Sequence, residues 1–106
     1  FPAHQPPLAA TLDPVFDLTT LTNRYQALAD ETRLAILFAL RSGQELSTQD
    51  VIEQFALDKS AASRHLRQLV ATNLIEERRE EGAKKVYRLR SSTIAELVTS
   101  LKTLEV

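Results

Sequence analysis

Two short helical segments joined by a three-residue turn constrain this fold more than any other feature of the sequence. Residues 47–50, STQD, form a capping-box pattern that begins the first helix. Residues 55–57 supply the turn, and Asp58 is a good N-cap for a second helix that runs to about Ala71. Asn73 tolerates the left-handed conformation that often ends helices. Short helices in this arrangement predict a helix-turn-helix.

The second helix of this pair, residues 59–71, has two chemically different faces. At about 100° per residue, its apolar side chains group on one side, namely Ala62, Leu66, Leu69 and Val70. The opposite side is polar and cationic, with Ser60, Arg64, Arg67 and Gln68, flanked by Ser63 and His65. Arginines and short polar groups near a helix N-terminus suit insertion into a DNA major groove. A solvated helix surface explains this helix equally well when it is taken alone.

A β-hairpin is predicted directly after this helix, over residues 75–89. The segment has strand-like ends, and Gly82 supplies the turn between them. Cations close to its tip, Arg79, Lys84 and Lys85, suit contact with phosphates or with a minor groove. A cationic hairpin that follows a candidate recognition helix is interpreted as a wing.

Charge is distributed unevenly along the chain. The net charge is −1, which by itself argues against a nucleic-acid partner. Residues 59–90, however, have nine basic and four acidic side chains, whereas residues 1–58 have three basic and eight acidic ones. Such asymmetry favours a localised anion-binding surface. The hairpin glutamates would repel phosphates, so we expect them to point away from DNA or to pair with arginines across the hairpin. The glutamates are Glu76, Glu77, Glu80 and Glu81, and the arginines are Arg78, Arg79 and Arg88.

Three further helices complete a fold that is mainly α with a small β-hairpin wing. The first runs from Leu18 to about Ala29. The second is capped by Asp30 and stops at residues 42–43, and its apolar residues on all sides over 34–40 predict a central, buried helix. The last is capped by Ser91 or Ser92 and has a narrow apolar stripe, formed by Ile94, Leu97, Val98, Leu101 and Leu104. That stripe either closes the core or pairs with another copy of the chain.

Length and composition exclude several other classes of protein. The 106 residues suffice for one domain with a single modest core. Apolar residues make up 43% of the chain and charged residues 25%, which is ordinary globular composition. The longest apolar run has seven residues, whereas a membrane-spanning helix needs about 20, so we expect a soluble chain with no membrane partner. The absence of cysteine excludes disulfides and thiolate metal sites within the chain and suits a reducing cytoplasm.

The N-terminal segment differs from the rest of the chain. All four prolines lie within the first fourteen residues, where neither helical nor strand periodicity is found. Residues 1–17 are therefore predicted to form an extended arm or linker, and residues 18–106 the winged domain with a terminal dimerisation helix. Because the sequence holds no methionine, we expect the chain to be processed or cut from a longer protein.

Three segments together resemble the winged helix-turn-helix of the ArsR/SmtB family of bacterial transcriptional regulators. They are ALADETRLAIL at residues 27–37, DKSAASRHLRQLVATNLIEERRE at 58–80 and KVYRL at 85–89. The resemblance covers residues 18–104, and the order of the segments makes it specific. It implies a homodimer formed by the first and last helices, with recognition helices in successive major grooves of a palindromic site. It also implies repression that an effector relieves.

The resemblance further implies roles for individual residues. The DNA-facing positions of the family fall on Lys59, Ser60, Ala61, Ser63, Arg64 and His65. The helical wheel independently supports Ser60 and Arg64, and Arg67 is expected to hold a phosphate. His65 is equally well explained as a histidine that is hydrogen-bonded within the domain. The dimer interface falls on apolar residues of the first and last helices, namely Leu18, Leu21, Tyr25, Ile94, Leu97, Val98, Leu101 and Leu104.

The sequence departs from the metal-sensing members of that family. Those members use a cysteine pair in the third helix, or histidine and acidic ligands in the last helix. Here the third helix has no cysteine and the last has no histidine. His4 and His65 are the only histidines, and a stable zinc site needs three or four converging ligands. No metal and no other cofactor is therefore expected, and the effector has no signature in the sequence.

The sequence does not support a catalytic function. It has no glycine-rich phosphate loop, no cysteine nucleophile and no triad-like spacing of serine, histidine and aspartate. We expect a cytoplasmic, nucleoid-associated transcriptional regulator that binds double-stranded DNA as a repressor. Helix 59–71 would lie in the major groove, and wing 75–89 on the backbone or in the minor groove. The alternative is a winged-helix module for protein interaction or dimerisation without sequence-specific DNA binding, which the neutral overall charge and the wing glutamates leave open.

Overall fold

The computed structural model describes residues 17–105, which form five α-helices and a three-stranded antiparallel sheet. The helices are α1 (Leu18–Leu28), α2 (Glu31–Ala39), α3 (Thr48–Gln54), α4 (Lys59–Ala71) and α5 (Ser91–Leu104). The strands are β1 (Glu45–Ser47), β2 (Ile75–Arg79) and β3 (Lys85–Leu89). The predicted winged helix-turn-helix is confirmed, with α3 and α4 as the helix pair and β2 and β3 as the wing. The predicted arm, residues 1–17, lies outside the described residues except for Asp17.

Aspartate and serine side chains begin four of these helices. Asp17, Asp30 and Asp58 each accept a hydrogen bond from a backbone N–H in the first turn of α1, α2 and α4, respectively. Ser47 begins α3 with the predicted capping box. Its hydroxyl accepts from the Asp50 N–H at 3.0 Å, and the Asp50 carboxylate accepts from the Ser47 N–H at 2.8 Å. Each cap is worth about 1 kcal/mol, so these helix starts follow directly from the sequence.

The start of α5 differs from the prediction. Neither Ser91 nor Ser92 caps the helix, because both lie inside its first turn and the N-cap position is held by Arg90 without a side-chain hydrogen bond. The Arg90 N–H donates instead to the Leu74 carbonyl at 3.0 Å. This tertiary hydrogen bond fixes the backbone of Arg90, and the helix therefore begins earlier than capping chemistry indicates.

Residues in the left-handed conformation end two helices and form the turn between α3 and α4. Ser42 and Gly43, with φ of 61° and 77°, follow α2 and confirm the predicted stop. Asn73, with φ of 60°, follows α4 as predicted. In the turn between α3 and α4 the left-handed residue is Ala56, with φ of 52°. A side chain with a Cβ pays about 1–2 kcal/mol for this conformation.

The sheet joins the wing to the helix-turn-helix. Strand β3 lies in the middle and pairs antiparallel with both β1 and β2. The predicted hairpin is therefore confirmed. Strand β1 is an addition that the sequence pattern does not predict, because three residues are too few to show alternation. Since β1 runs directly into α3, the sheet connects the wing to the first helix of the pair.

One hydrophobic core holds the elements together. Its largest fully buried side chains come from α2 and the residue that follows it, from α3 and α4, and from the entry to β2. They are Ile36, Leu40, Val51, Leu66, Leu69, Leu74 and Ile75. The apolar face predicted for α4 is confirmed, because Ala62, Leu66 and Leu69 are buried. Helices α1 and α5 contribute Ala27 and Leu97 to the same core. The opposite face of α4 is thereby directed outward.

Helix α2 is only partly buried, contrary to the prediction of a helix buried on all sides. Ile36, Leu37 and Leu40 face the core, but Leu34 is 41% exposed and Phe38 is 61% exposed. The two exposed residues are four positions apart and share one helix face. Because α2 packs mainly against α1 and α4, that face stays at the surface of the chain.

Candidate nucleic-acid interface

The outward face of α4 presents most of the residues that the sequence assigns to DNA. The exposed members are Lys59, Ser60, Arg64 and Arg67, and the half-buried ones are Ala61, Ser63 and His65. Leu66 and Leu69 hold the other face in the core, which leaves the long cations free to extend away from the domain. Small side chains between them keep the helix backbone accessible to a ligand as broad as a DNA duplex.

An open groove of about 780 Å³ lies between α4 and the wing. It brings together predicted residues from two separate segments, with Lys59, Ser63 and Arg67 from the helix and Lys84 and Lys85 from the hairpin. The predicted residues that do not line it are Ser60, Ala61, Arg64, His65 and Arg79. The site therefore consists of a cationic groove and, beside it, a helix edge on which Arg64 is exposed.

The start of α3 forms a further wall of this groove, which the sequence analysis missed. Thr48 and Gln49 line the groove beside the side chains of α4, and the Gln49 amide donates to the Glu53 carboxylate at 3.1 Å. The helix-turn-helix prediction itself holds the signal, because this motif places the first turn of its first helix near the second helix. Polar residues in that turn are candidates for phosphate contacts.

Most wing glutamates are neutralised within the sheet. Glu76 is paired with Arg88 directly across the hairpin, as predicted, and the hydrogen bond from Arg88 is the main reason that the pKa of Glu76 is lowered. Arg78 binds Glu45 of β1 at 2.8 Å and lies 3.6 Å from Glu80. The Glu45 pair could not be foreseen from the sequence, because it depends on the unpredicted strand β1.

Glu77 is the acidic residue inside the groove. Its carboxylate accepts a hydrogen bond from the Tyr87 hydroxyl at 3.2 Å and lies 3.4 Å from the Lys85 Nζ. Burial is the main cause that raises the pKa of Tyr87 above its ordinary value, so its hydroxyl remains a donor at neutral pH. Lys85, although predicted as a DNA contact, is therefore already engaged by a carboxylate.

The predicted cations thus form two groups. Lys85 has an acidic partner, whereas five others have none within residues 17–105, and these are Lys59, Arg64, Arg67, Arg79 and Lys84. Arg79, which the sequence also predicts as a partner for the wing glutamates, does not pair with them. Exposed cations without carboxylate partners are the ones that displace condensed counterions from DNA phosphates.

His65 lies against α2 rather than standing free on the outward face. Its Nδ1 is 3.2 Å from the Arg33 Nη1 and 3.9 Å from the Asp30 Oδ2, and its side chain is 14% exposed. Because guanidinium is a donor with no acceptor, a hydrogen bond in this contact requires Nδ1 to accept. Of the two interpretations left open by the sequence, the geometry favours a histidine hydrogen-bonded within the domain.

The predicted dimer residues divide between the core and the surface. Leu97 is buried, and Leu21, Tyr25 and Ile94 pack against the core, with Leu18 half-buried. The later part of the α5 stripe is exposed, with Val98 at 46%, Leu101 at 51% and Leu104 at 81%. The stripe therefore closes the core with its first half and presents its second half to the surroundings.

Among residues 17–105, no group of three or more His, Cys, Asp or Glu side chains is placed to hold a metal ion. Across the same residues, no helix combines the length and the apolar character that crossing a membrane requires.

Comparisons with known proteins agree with this geometry. A family model described as a helix-turn-helix domain matches residues 28–78. Reduced HlyU from Vibrio cholerae N16961 is 30% identical over 81% of this chain and 88% of that chain, with a TM-score of 0.65. The transcriptional regulator HlyU from Vibrio vulnificus CMCP6 is 31% identical over 81% and 88%, with a TM-score of 0.62. An ArsR-like transcriptional regulator from Rhodococcus sp. RHA1 is 25% identical over 82% and 80%, with a TM-score of 0.72. No curated protein matches the chain.

Proposed function

Because the chain belongs to the ArsR/SmtB family of winged helix-turn-helix transcriptional regulators, we propose that it is a sequence-specific repressor that binds a palindromic operator as a homodimer. The family and the fold are those of DNA-binding regulators rather than enzymes. In the proposed complex α4 lies in the major groove, and the wing lies on the backbone or in the adjacent minor groove. The observation that carries the proposal is the groove in which unpaired cations from α4 and the wing meet.

The two arginines of α4 have different proposed roles. Arg64 is exposed beside the groove, at the helix edge, where its guanidinium can reach a guanine edge in two hydrogen bonds. Arg67 lines the groove together with Lys59 and Lys84, so it is assigned to a phosphate. Contacts to phosphates position the protein, and contacts to base edges provide the specificity.

The proposed homodimer is supported by apolar surface that the single chain leaves uncovered. Val98, Leu101 and Leu104 lie on the exposed half of the α5 stripe, and Leu34 and Phe38 are exposed on α2. Clustered large apolar side chains at a surface are typical of interaction sites. A two-fold dimer would also present two copies of α4, as a palindromic operator requires.

The experiment that tests this function is the selection of bound duplexes from sheared bacterial DNA at near-physiological salt. The unmodified chain is compared with the double variant Arg64→Ala/Arg67→Ala. The matched control is Arg41→Ala/Lys102→Ala, which removes the same charge at exposed positions outside α4 and the wing. We expect the unmodified chain and the control to enrich a palindrome with half-sites about one helical turn apart, and the α4 variant to enrich none.

Other outcomes of the selection would contradict the proposal in distinct ways. Enrichment of a single half-site indicates binding as a monomer. Enrichment of the palindrome by all three proteins would show that Arg64 and Arg67 of α4 do not contribute to sequence recognition. If the unmodified chain enriches nothing, the winged helix serves protein interaction or dimerisation, and the exposed Leu34 and Phe38 become the first surface to test.

A further inference from the structure

The Arg33 side chain joins three helices at one point. Its Nε donates to the Ala27 carbonyl at 2.7 Å and its Nη2 to the Gln26 carbonyl at 3.3 Å, both near the end of α1. The backbone N–H of Arg33 donates to the Asp30 carboxylate that caps α2, at 2.9 Å. Its Nη1 contacts the Nδ1 of His65, in the middle of α4, at 3.2 Å. The guanidinium therefore fastens α4 to α1 and to the start of α2.

The planar geometry of the guanidinium makes the contact between Arg33 and His65 directional. Guanidinium donors lie in one plane in a fixed fork, so the two α1 carbonyls that hold Nε and Nη2 also set where Nη1 points. Arg33 is half-buried and the His65 side chain is 14% exposed, which limits competition from water. Hydrogen bonds from a charged donor are stronger and more directional than neutral ones. A rotation of α4 about its own axis would break this contact.

A second arginine holds the C-terminal end of α4. The Arg24 Nε donates to the carbonyl of Thr72, the residue that ends α4, at 3.2 Å, and its Nη1 contacts Glu96 of α5 at 2.7 Å. His65 and Thr72 are seven residues apart, which is about 10 Å along a helix. Two attachments at that separation fix both the axial rotation and the tilt of α4. Both attachments involve α1, since Arg24 belongs to it and Arg33 binds its terminal carbonyls.

From these contacts we propose that Arg33, acting through His65, is a positioning residue for DNA recognition, with Arg24 as the second anchor. The inference rests on the proposed placement of α4 in the major groove. Side chains reach about 5–6 Å from a helix axis, so a rotation of about 10° moves their base-contacting atoms by about 1 Å. A site must be held within about 0.5 Å to keep a bidentate contact. The role of His65 is therefore to orient the neighbouring Arg64 and not to contact a base.

The test uses the operator found by duplex selection and a random duplex of equal length. Arg33→Gln and His65→Leu remove the two sides of the contact, and Arg33→Lys keeps the charge without the fork, as a second variant should the first fail to fold. We expect each to weaken operator binding tenfold or more and to change random-duplex binding less than twofold, because the phosphate-binding cations remain. The salt dependence should match that of the unmodified chain.

Two variants serve as controls. His65→Asn can place an amide oxygen near the position of Nδ1, so it should restore most of the operator affinity that His65→Leu loses. Arg41→Gln removes an arginine that also binds a helix carbonyl, that of Phe38 in α2, and should stay within twofold of the unmodified chain. The double variant Arg33→Gln/His65→Leu should be no weaker than the weaker single variant, because both changes break one contact.

A measurement without DNA tests the same contact independently. The ring nitrogen shifts of ¹⁵N-labelled His65 report whether Nδ1 accepts a hydrogen bond, and Arg33→Gln should change the Nδ1 shift. A proton on Nδ1 at neutral pH in the unmodified chain would overturn the inference. So would equal losses on operator and random duplex, which indicate a purely structural role, or additive losses in the double variant.

The failure of the inference can be told from the failure of the proposed function. If the unmodified chain prefers no duplex, the proposed function is wrong and the inference falls with it. If Arg64→Ala loses its preference for the operator while Arg33→Gln and Arg33→Lys keep theirs, the function stands and the positioning role is wrong.

Discussion

A basic residue strengthens DNA binding only to the extent that no neighbouring carboxylate already neutralises it. Lys84 and Lys85 illustrate this at the scale of single residues, since they are adjacent, exposed and both line the groove. Lys85 lies 3.4 Å from Glu77, whereas Lys84 lies within 4 Å of no carboxylate in the part of the chain that the structure describes. The charge of Lys84 is only a minor cause of the lowered pKa of Asp50. Equal charge in the sequence therefore corresponds to unequal capacity to bind phosphate.

Lys84→Ala and Lys85→Ala should differ in the salt dependence of DNA binding. Each phosphate contact contributes about 0.9 to the slope of log K against log salt, so Lys84→Ala should lower that slope by about one unit per protomer. Lys85→Ala should lower it by less than half as much, because Glu77 competes for the ammonium group. The measurement is a series of dissociation constants on random duplex at several salt concentrations. Identical slopes for the two variants would contradict the assigned pairing of Lys85 with Glu77.

Arg64→Ala should act on specificity instead of on salt dependence. Loss of a bidentate contact to a base costs about 1–3 kcal/mol, so operator binding should weaken by about one to two orders of magnitude for each protomer. Binding to random duplex should change little. Comparing the two dissociation constants for Arg64→Ala and Lys84→Ala separates the roles, and parallel losses on both DNAs for both variants would refute them.

The residues of the candidate site could largely be predicted from the sequence, but their partners could not. The outward position of Arg64 follows from helical periodicity alone. The contacts of His65 with Arg33 and of Arg78 with Glu45 join residues that are 32 and 33 positions apart. They depend on how helices pack and on which strands pair, and neither is a property of a local sequence window.

At the scale of elements, carboxylates begin most helices, and the stability of the domain must therefore depend on pH. The pKa of Asp50 is lowered chiefly by the hydrogen bond from the Ser47 N–H, and that of Asp30 chiefly by the bond from the Arg33 N–H. The pKa of Asp17 is lowered chiefly by a hydrogen bond from the Thr20 hydroxyl and next by the capping bond from the Thr19 N–H. A carboxyl group with a lower pKa in the folded state stabilises the fold above its unfolded-state pKa, which is about 3.9. This contribution is lost as the pH falls through the folded-state value.

Asp50→Asn should lower the free energy of unfolding at pH 7 by about 0.5–1 kcal/mol, since it weakens the cap of α3. It should also reduce the loss of stability between about pH 5 and pH 3, because one titrating cap is gone. Urea unfolding across this pH range measures both effects. Glu81→Gln, which removes the same charge from the exposed wing tip, is the control. A steeper loss of stability with falling pH in Asp50→Asn than in the unmodified chain would contradict the stabilising role assigned to the ionised Asp50.

Ala56→Gly should stabilise the turn between α3 and α4. The left-handed conformation of Ala56 costs about 1–2 kcal/mol with a Cβ, and glycine removes this cost while adding about 0.5–1 kcal/mol of unfolded-state entropy. A net gain of about 0.5 kcal/mol is expected in urea unfolding. Ala95→Gly, at an exposed position inside α5, should instead lose about 1 kcal/mol. Equal losses of unfolding free energy at both positions would contradict the backbone strain assigned to Ala56.

The helix boundaries were predictable where local chemistry decides them and unpredictable where tertiary contacts do. The caps at Asp30 and Asp58 and the left-handed Asn73 lie within one turn of the boundaries that they set. The start of α5 depends on a hydrogen bond from Arg90 to Leu74, which exists only after the core has formed. The exposure of Phe38 likewise depends on which helices cover α2, and apolar periodicity contains no such information.

At the scale of the whole molecule, the uneven exposure of α5 would let one helix serve both folding and the proposed self-association. Leu97 is in the core, whereas Leu101 is half-exposed and Leu104 is largely exposed. Burying a fully exposed leucine is worth about 1.5–3 kcal/mol, and burying a half-exposed one about half as much. A second copy of α5 would supply an equally apolar surface, which favours two-fold self-association.

Leu101→Glu should convert the proposed dimer into a folded monomer. A charge at this exposed position costs little in the single chain and much in an apolar interface. Light scattering should give a dimer for the unmodified chain and a monomer for the variant, with cooperative unfolding retained. Thr103→Glu, exposed and about 200° further around α5, is the control and should remain dimeric. A monomeric unmodified chain would refute the proposed interface.

The ion pairs of the wing have a consequence for the time that the protein would need to find the proposed operator. Each phosphate contact lengthens the stay on random DNA, because it lowers the rate of dissociation. The carboxylates that hold Arg78, Lys85 and Arg88 keep these cations from adding such contacts. We therefore expect brief encounters at wrong sites, which allow more of the genome to be sampled per minute. Removing the carboxylate partners of the wing cations would therefore give a protein that binds random DNA more tightly and takes longer to find the proposed operator.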